Sequence, residues 1–226
     1  MINECIFVLH LAFLFACTSG AFFLGQHVLL ATSALYIVFA NIFVIKKMML
    51  FGLTASGGDA YIVASLCALL MGQAVWGRDF ARCAATIALC LALLNVALSW
   101  FQVAYVPAAI DTMQPIFAGV LGRVPAVTIF SALAHLVAQY ITLGLTYTLS
   151  RMSSASWWLG GTSFVAMVLG QVVDGAIFFA GVFGREVSLQ ALTEMIGVSV
   201  GVKLGGMAIA SLLVVGAHAA RERGYV

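Results

Sequence analysis

Leu89-Cys90-Leu91-Ala92-Leu93-Leu94-Asn95-Val96-Ala97-Leu98 contains no charge and does not alternate between apolar and polar positions. Backbone groups in lipid must be satisfied within the segment or within a closed barrel, so only helices and barrels cross a bilayer. A barrel strand would alternate over about 10 residues. The stretch therefore reads as part of a transmembrane helix. It belongs to a longer charge-free run, Cys83–Ile110, and similar runs occur at Cys5–Ile45, Ala60–Gly77, Val124–Ser150 and Met152–Val173. A crossing needs about 20 residues, with about 18 as a working minimum, and each run reaches that length.

The whole composition agrees. The 226 residues are 64% hydrophobic and 8% charged, with a mean hydropathy of +1.13, whereas a soluble domain is about 45–50% apolar and about 25% charged. There is too little charge to coat a water-facing surface, so the chain is an all-α integral membrane protein. Net charge is +2 and no basic block exceeds Lys46-Lys47, which argues against nucleic acid as a partner. Five cysteines (Cys5, Cys17, Cys67, Cys83, Cys90) form no CxxC pair. Neither a zinc site nor a disulfide framework is indicated, and buried, inert thiols are expected. No metal or cofactor is expected either.

Seven helices are predicted, at about 5–24, 28–48, 60–77, 82–106, 125–149, 156–183 and 191–217. The first lacks the positive flank of a signal peptide and reads as a retained helix. Gly25-Gln26-His27 separates the first two, and Gly52–Asp59 the next two, with Asp59 placed to cap the third. Val106–Arg123, with Pro107, Asp111 and Pro115, stays apolar and is expected to lie flat or re-enter. Pro125 suits the first turn of the fifth helix, and Trp157-Trp158 suits a membrane interface. The chain is expected to form one transmembrane domain over 1–226. In the short loops, Arg78, Arg82, Arg151, Arg221 and Arg223 fall on one side, against Lys46, Lys47, Arg123 and Arg185 on the other. That bias favours a cytoplasmic C-terminus.

Ionisable and strongly polar side chains at membrane depth are costly, so each is a functional candidate. Gln171, Asp174 and Phe178 share one stripe of the sixth helix. A carboxylate that accepts two N–H groups, an amide beside it and an aromatic face together suit a flat, donor-rich ring. The alternative is an acid paired across helices for stability. Lys203 in the last helix needs a partner, with Asp174 the deepest acid and Glu194 the other choice. Gly197, Gly201 and Gly205 form a small-residue stripe expected to bring helices close together. Lys203 lies about 200° round the helix from it at about 100° per residue. His135 and Gln139 share a face of the fifth helix with Thr142 close by. His135 reads more readily as a hydrogen-bonded core residue than as a proton carrier, and Gln139 as a ligand or a helix bridge equally. Asn41 and Lys46 are about 140° apart on the second helix, and Lys46 suits either a ligand or a snorkelling role.

Ala40-Asn41-Ile42-Phe43-Val44-Ile45-Lys46, then Leu50-Phe51-Gly52-Leu53-Thr54, then Trp76-Gly77 with Ala81-Arg82, resembles the N-terminal signature of the queuosine precursor transporters, the YhhQ or VUT family. Ser131 with Gln139, Gly170-Gln171-x-x-Asp174-x-x-x-Phe178 with Phe183, and the distant Lys203 extend the likeness over about residues 28–210. Family members are bacterial inner-membrane proteins, many with an extra N-terminal helix, here 5–24 ahead of a core over 28–217. The resemblance implies import of a 7-deazaguanine derivative for tRNA modification: the cyano or aminomethyl precursor, queuine or queuosine. It also implies Asn41, Lys46, Gln139, Gln171, Asp174, Phe178 and Lys203 as substrate-binding residues. Leu70, Ala74, Ala126 and Thr142 stand where the family carries charged or polar residues. Either the substrate has shifted within the class or charges used for coupling and gating are gone.

No GxxxxGK[ST] loop occurs, so a secondary transporter is expected. The alternative is a substrate-binding membrane subunit of a vitamin-uptake-like complex for a related heterocycle. An intramembrane enzyme is disfavoured, since no Ser–His–Asp set, HExxH or paired carboxylate faces a common cavity. Expected partners are the deazapurine and membrane lipid, with homo-oligomerisation left open.

Overall fold

The charge-free runs fold into helices in the order the sequence sets. The computed structural model describes residues 2–44, 46–108, 110–121, 124–153, 155–184 and 188–225. Its helices are α1 (Ile2–Phe23), α2 (Gln26–Phe43), α3 (Asp59–Ala104), α4 (Gln114–Leu121), α5 (Val124–Ser150), α6 (Ser156–Phe183) and α7 (Leu189–Glu222), with a hairpin of β1 (Lys47–Leu50) and β2 (Leu53–Ser56) after α2. All but α4 are long and apolar enough to cross a membrane.

The third and fourth predicted helices are one 46-residue element broken at Gly77, where φ is 82° and ψ is −166°. Straight, it would run about 69 Å at about 1.5 Å per residue, more than twice the roughly 30 Å hydrocarbon core. It folds back instead. Phe80 lies across Gly72, where an added Cβ would collide with its ring, and Ile62 from the first half shares a small cavity with Ala85, Ala88 and Ala92 from the second. Glycine is required at the break, because that backbone region is essentially closed to residues with a Cβ. Counting α3 twice gives seven crossings.

The hairpin corrects the expected end of the second helix, which stops at Phe43 instead of running to 48. Lys47 pairs with Ser56 and Leu50 with Leu53 in antiparallel register. Phe51 and Gly52 both have positive φ, 53° and 77°, which is the two-residue reversal that matches strand twist. Helix α1 holds the tip: Asn3 Nδ2 donates to the Met49 carbonyl at 3.1 Å, and Glu4 Oε1 accepts the Phe51 N–H at 3.1 Å.

Between α3 and α5 the chain forms the short helix α4, started by Asp111, whose carboxylate accepts the N–H groups of Met113 and Gln114 at 2.8 and 3.2 Å. Ile116 and Phe117 on it are exposed, as suits a segment at a membrane interface. Helix α5 packs along α6, α6 along α7, and α7 along α3, with α2 against α3. The Trp158 indole N–H ties α6 to the Leu149 carbonyl at 2.7 Å. The five thiols are free, as expected, but only Cys67 is buried. Cys5, Cys83 and Cys90 face outward.

The glycine stripe also needs correction. Gly197, Gly201 and Gly205 are exposed, and a Cβ on any of them would meet nothing within 4 Å. The close approach is made by Gly206, whose Cβ would sit 2.9 Å from Leu11 and 3.1 Å from Val63. The inward face of α7 is the one carrying Val202, Lys203, Gly206, Met207 and Ala210.

Candidate functional site

The hairpin, the start of α3, and helices α5, α6 and α7 enclose a cavity of about 420 Å³. The hairpin supplies Lys47, Thr54 and Ser56 to its wall; α3 supplies Asp59, α5 Ser131, α6 Asp174 and Phe178, and α7 Glu194, Ser199 and Lys203. Each arrives by a different route along the chain.

Lys203, 3% exposed, decides the electrostatics. Its Nζ lies 3.0 Å from Asp59 Oδ1 and donates to Gln171 Oε1 at 2.8 Å. This overturns the expectation that Asp174 or Glu194 neutralises it. Nor does Asp59 cap α3 with its side chain: Gly58 occupies the N-cap position. The Asp59 carboxylate serves tertiary structure, with Oδ2 accepting the Ser56 N–H at 3.0 Å while Oδ1 faces the ammonium. One acid thus ties the hairpin to α7. A buried ion pair is tolerable only when its remaining valences are hydrogen-bonded, and Ser56 and Gln171 meet that condition.

Among the described residues, no lysine or arginine touches Asp174. The nearest basic group is His135 Nδ1, 4.0 Å from Asp174 Oδ1, beyond hydrogen-bond distance. The other ring nitrogen of His135 is 2.8 Å from Gln139 Nε2. With the amide as donor there, the neutral ring carries its proton on Nδ1, turned toward Asp174. Phe178 sits on the same cavity wall, its ring edge to face with Phe179 at 5.2 Å. At the cavity rim, outside the spanning segments, desolvation lowers the pKa of Lys47 and the Asp59 carboxylate opposes that shift.

The seven residues named from sequence therefore separate. Asp174, Phe178 and Lys203 line the main cavity. Gln171 stands behind Lys203 and holds it. Asn41 and Gln139 line a neighbouring space of about 30 Å³ with Ser131 and His135, where Ser131 donates to Asn41 Oδ1 at 3.2 Å. Lys46 is exposed, and Lys47 is the lysine on the cavity wall. The Phe183 side chain is not described, and Arg123 and Arg185, used in the charge comparison, lie outside the described residues. Sequence reasoning missed Asp59 and the hairpin. The signal for Asp59 was its place beside a predicted crossing, with Lys203 needing an acid.

Compared with known proteins, residues 73–217 match the family described as "Putative vitamin uptake transporter". The chain belongs to that family. The match runs from within the first half of α3 to near the end of α7, so it covers the helices that supply Asp174 and Lys203. In this uptake-transporter chain, the hairpin and Asp59 precede the matched segment. No curated protein and no solved structure matched the chain. As a member of that family it is a multi-pass membrane transporter, and the polar cavity between its helices is where cargo recognition is to be sought.

Proposed function

We propose that this chain imports a small, flat, donor-rich heterocycle of the 7-deazaguanine type across the bacterial inner membrane, for use in tRNA modification. One observation carries the reading: Asp174 presents a carboxylate on the cavity wall it shares with Phe178, with no lysine or arginine in contact among the described residues, because Lys203 is committed to Asp59. A carboxylate left like this at membrane depth is expensive. The ring N1–H and exocyclic amine of a deazaguanine supply two donors to it without requiring a charge, and the planar ring stacks on the aromatic. The cavity volume falls within the range of about 300–1,000 Å³ common for small-molecule sites. Asn41 and Gln139, which line the neighbouring space, read in this proposal a substituent that reaches past Ser131, and Gln171 acts by holding Lys203. The arginine-bearing end, with Arg78, Arg151 and Arg221, faces the cytoplasm in this reading.

The experiment is uptake of labelled cyano- and aminomethyl-deazaguanine, queuine and queuosine, first in cells unable to make any of them and then in liposomes holding this chain alone. Uptake of at least one compound in both settings supports the proposal. Failure of all four compounds in cells overturns the substrate class. Uptake in cells but not in liposomes favours a binding subunit that borrows an energising complex.

A further inference from the structure

Helix α5 carries Ser131, His135, Gln139, Thr142, Thr146 and Ser150 at spacings of four, four, three, four and four, which places all six on one face. Four of them, His135, Gln139, Thr142 and Thr146, are buried. A helix packed only for stability would bury an apolar stripe there. The stripe starts at the main cavity, where Ser131 is part of the wall. It ends at a second cavity of about 300 Å³ at the arginine-bearing end, whose lining includes Gln73, Thr146, Tyr147, Ser150 and His218.

Three atoms along this line are buried with no partner among the described residues: Gln139 Oε1, Gln73 Oε1 and Thr146 Oγ1. An unsatisfied buried polar group typically costs about 1–3 kcal/mol, and three between and beside the two cavities call for an explanation. Thr146 is the most telling. A helical threonine readily bonds the carbonyl four residues back, as Thr18, Thr32 and Thr86 do at 2.8–2.9 Å, yet Thr146 Oγ1 has no such bond. Gln73 anchors its amide nitrogen on the Leu143 carbonyl at 3.1 Å and leaves its oxygen unpaired. Between the two cavities α5 and α6 close on each other. Gly170 abuts Thr142, and a Cβ at Gly170 would lie 3.1 Å from the Ala138 carbonyl, while Ala166 and Met167 are fully buried.

We propose that the cavity at the arginine-bearing end is a second station for the same cargo, reached from the first along the polar face of α5, with Thr146 and Gln73 as its hydrogen-bonding residues. The inference rests on the cargo class proposed above. Both atoms are enclosed in this structure; with cargo present, Gln73 turns its oxygen into the cavity to accept a ring N–H, and the Thr146 hydroxyl rotates to accept or donate in turn. Tyr147, its ring under Arg78 at 4.4 Å and Arg151 at 5.3 Å, forms a fixed aromatic wall. Passage from one station to the other requires α5 and α6 to separate at Gly170.

The test compares Thr146→Val, which keeps shape and removes the hydroxyl, with Thr146→Ser, which keeps the hydroxyl. The probe is whichever labelled deazapurine the wild-type chain takes up. Thr146→Val should lower initial uptake by about tenfold, with probe affinity at the first cavity within about twofold of wild type, and Thr146→Ser should restore uptake. Gln73→Leu should behave like Thr146→Val. Wild-type uptake by Thr146→Val would overturn the station. So would parallel loss of binding and uptake, since that would place Thr146 in the fold instead of the path. If the wild-type chain takes up none of the four compounds, the cargo proposal is what fails.

Discussion

Removing either Asp59 or Lys203 should damage the chain far more than removing both. At 3.0 Å two unit charges attract by about 5–6 kcal/mol at an effective dielectric of about 20, a gain set against the desolvation of two groups that are 5% and 3% exposed. Taking one away strands the other, at a typical cost of about 3–5 kcal/mol. Asp59→Asn leaves the ammonium with Gln171 as its hydrogen-bond partner and no acid in contact. Lys203→Met leaves the carboxylate with the Ser56 N–H and the more distant charge of Lys47. If the losses were independent, the double variant would lose about 6–10 kcal/mol. With both charges gone no charge is stranded, so it should lose less than the worse single variant, giving a coupling energy of at least about 3 kcal/mol. The measurement is unfolding of the purified chain in mixed micelles, followed by tryptophan fluorescence and run as a double-mutant cycle. A parallel cycle pairs Asp174→Asn with Lys203→Met. Because Asp174 makes no direct contact with the ammonium, that coupling should be clearly smaller. A larger coupling for Asp174 than for Asp59 would refute the pairing described here.

Asp174→Asn should abolish deazapurine uptake at unchanged membrane abundance, because a mixed amide replaces a double acceptor; undiminished uptake would remove Asp174 from the site. Gly201→Leu should leave assembly and uptake intact, since its outward side is open, whereas Gly206→Leu should yield little folded protein, as seen by size-exclusion chromatography, because Leu11 and Val63 occupy the space. Gly77→Ala should cost about 1–3 kcal/mol from backbone strain alone, read as a lower thermal midpoint in detergent; an unchanged midpoint would mean the break tolerates a side chain.

The crossings were legible because hydrophobic runs depend on local composition alone: the predicted 156–183 helix coincides with α6. The break after the second helix was legible in Gly52–Asp59, but the hairpin was not, because Met48 to Ser56 contains no charge and no polar–apolar alternation that marks a pair of strands. Phe51-Gly52 hints at a tight reversal, and it gains force only once Asn3 and Glu4 are seen to hold the tip. Among the site residues, Asp174 and Phe178 were legible as a stripe on one helix, a local periodicity. Which acid meets Lys203 is a question of tertiary approach. Asp59 lies 144 positions away, and a sequence that offers several acids cannot rank them by distance. The glycines at 197, 201 and 205 failed for a related reason, since the same spacing serves a packed helix face and an open one.

The break at Gly77 bears on how the chain enters the bilayer. The two arms of α3 have no connecting loop between them, and Arg78, Asp79 and Arg82 follow directly on the turn. Each arm alone is long enough to reach across, so the bend and the charges beside it belong at one face of the membrane. With no loop to pause in, the pair is built to insert as one object. In the orientation proposed above, its charged elbow trails on the side where the ribosome sits, and the later crossings take their direction from it.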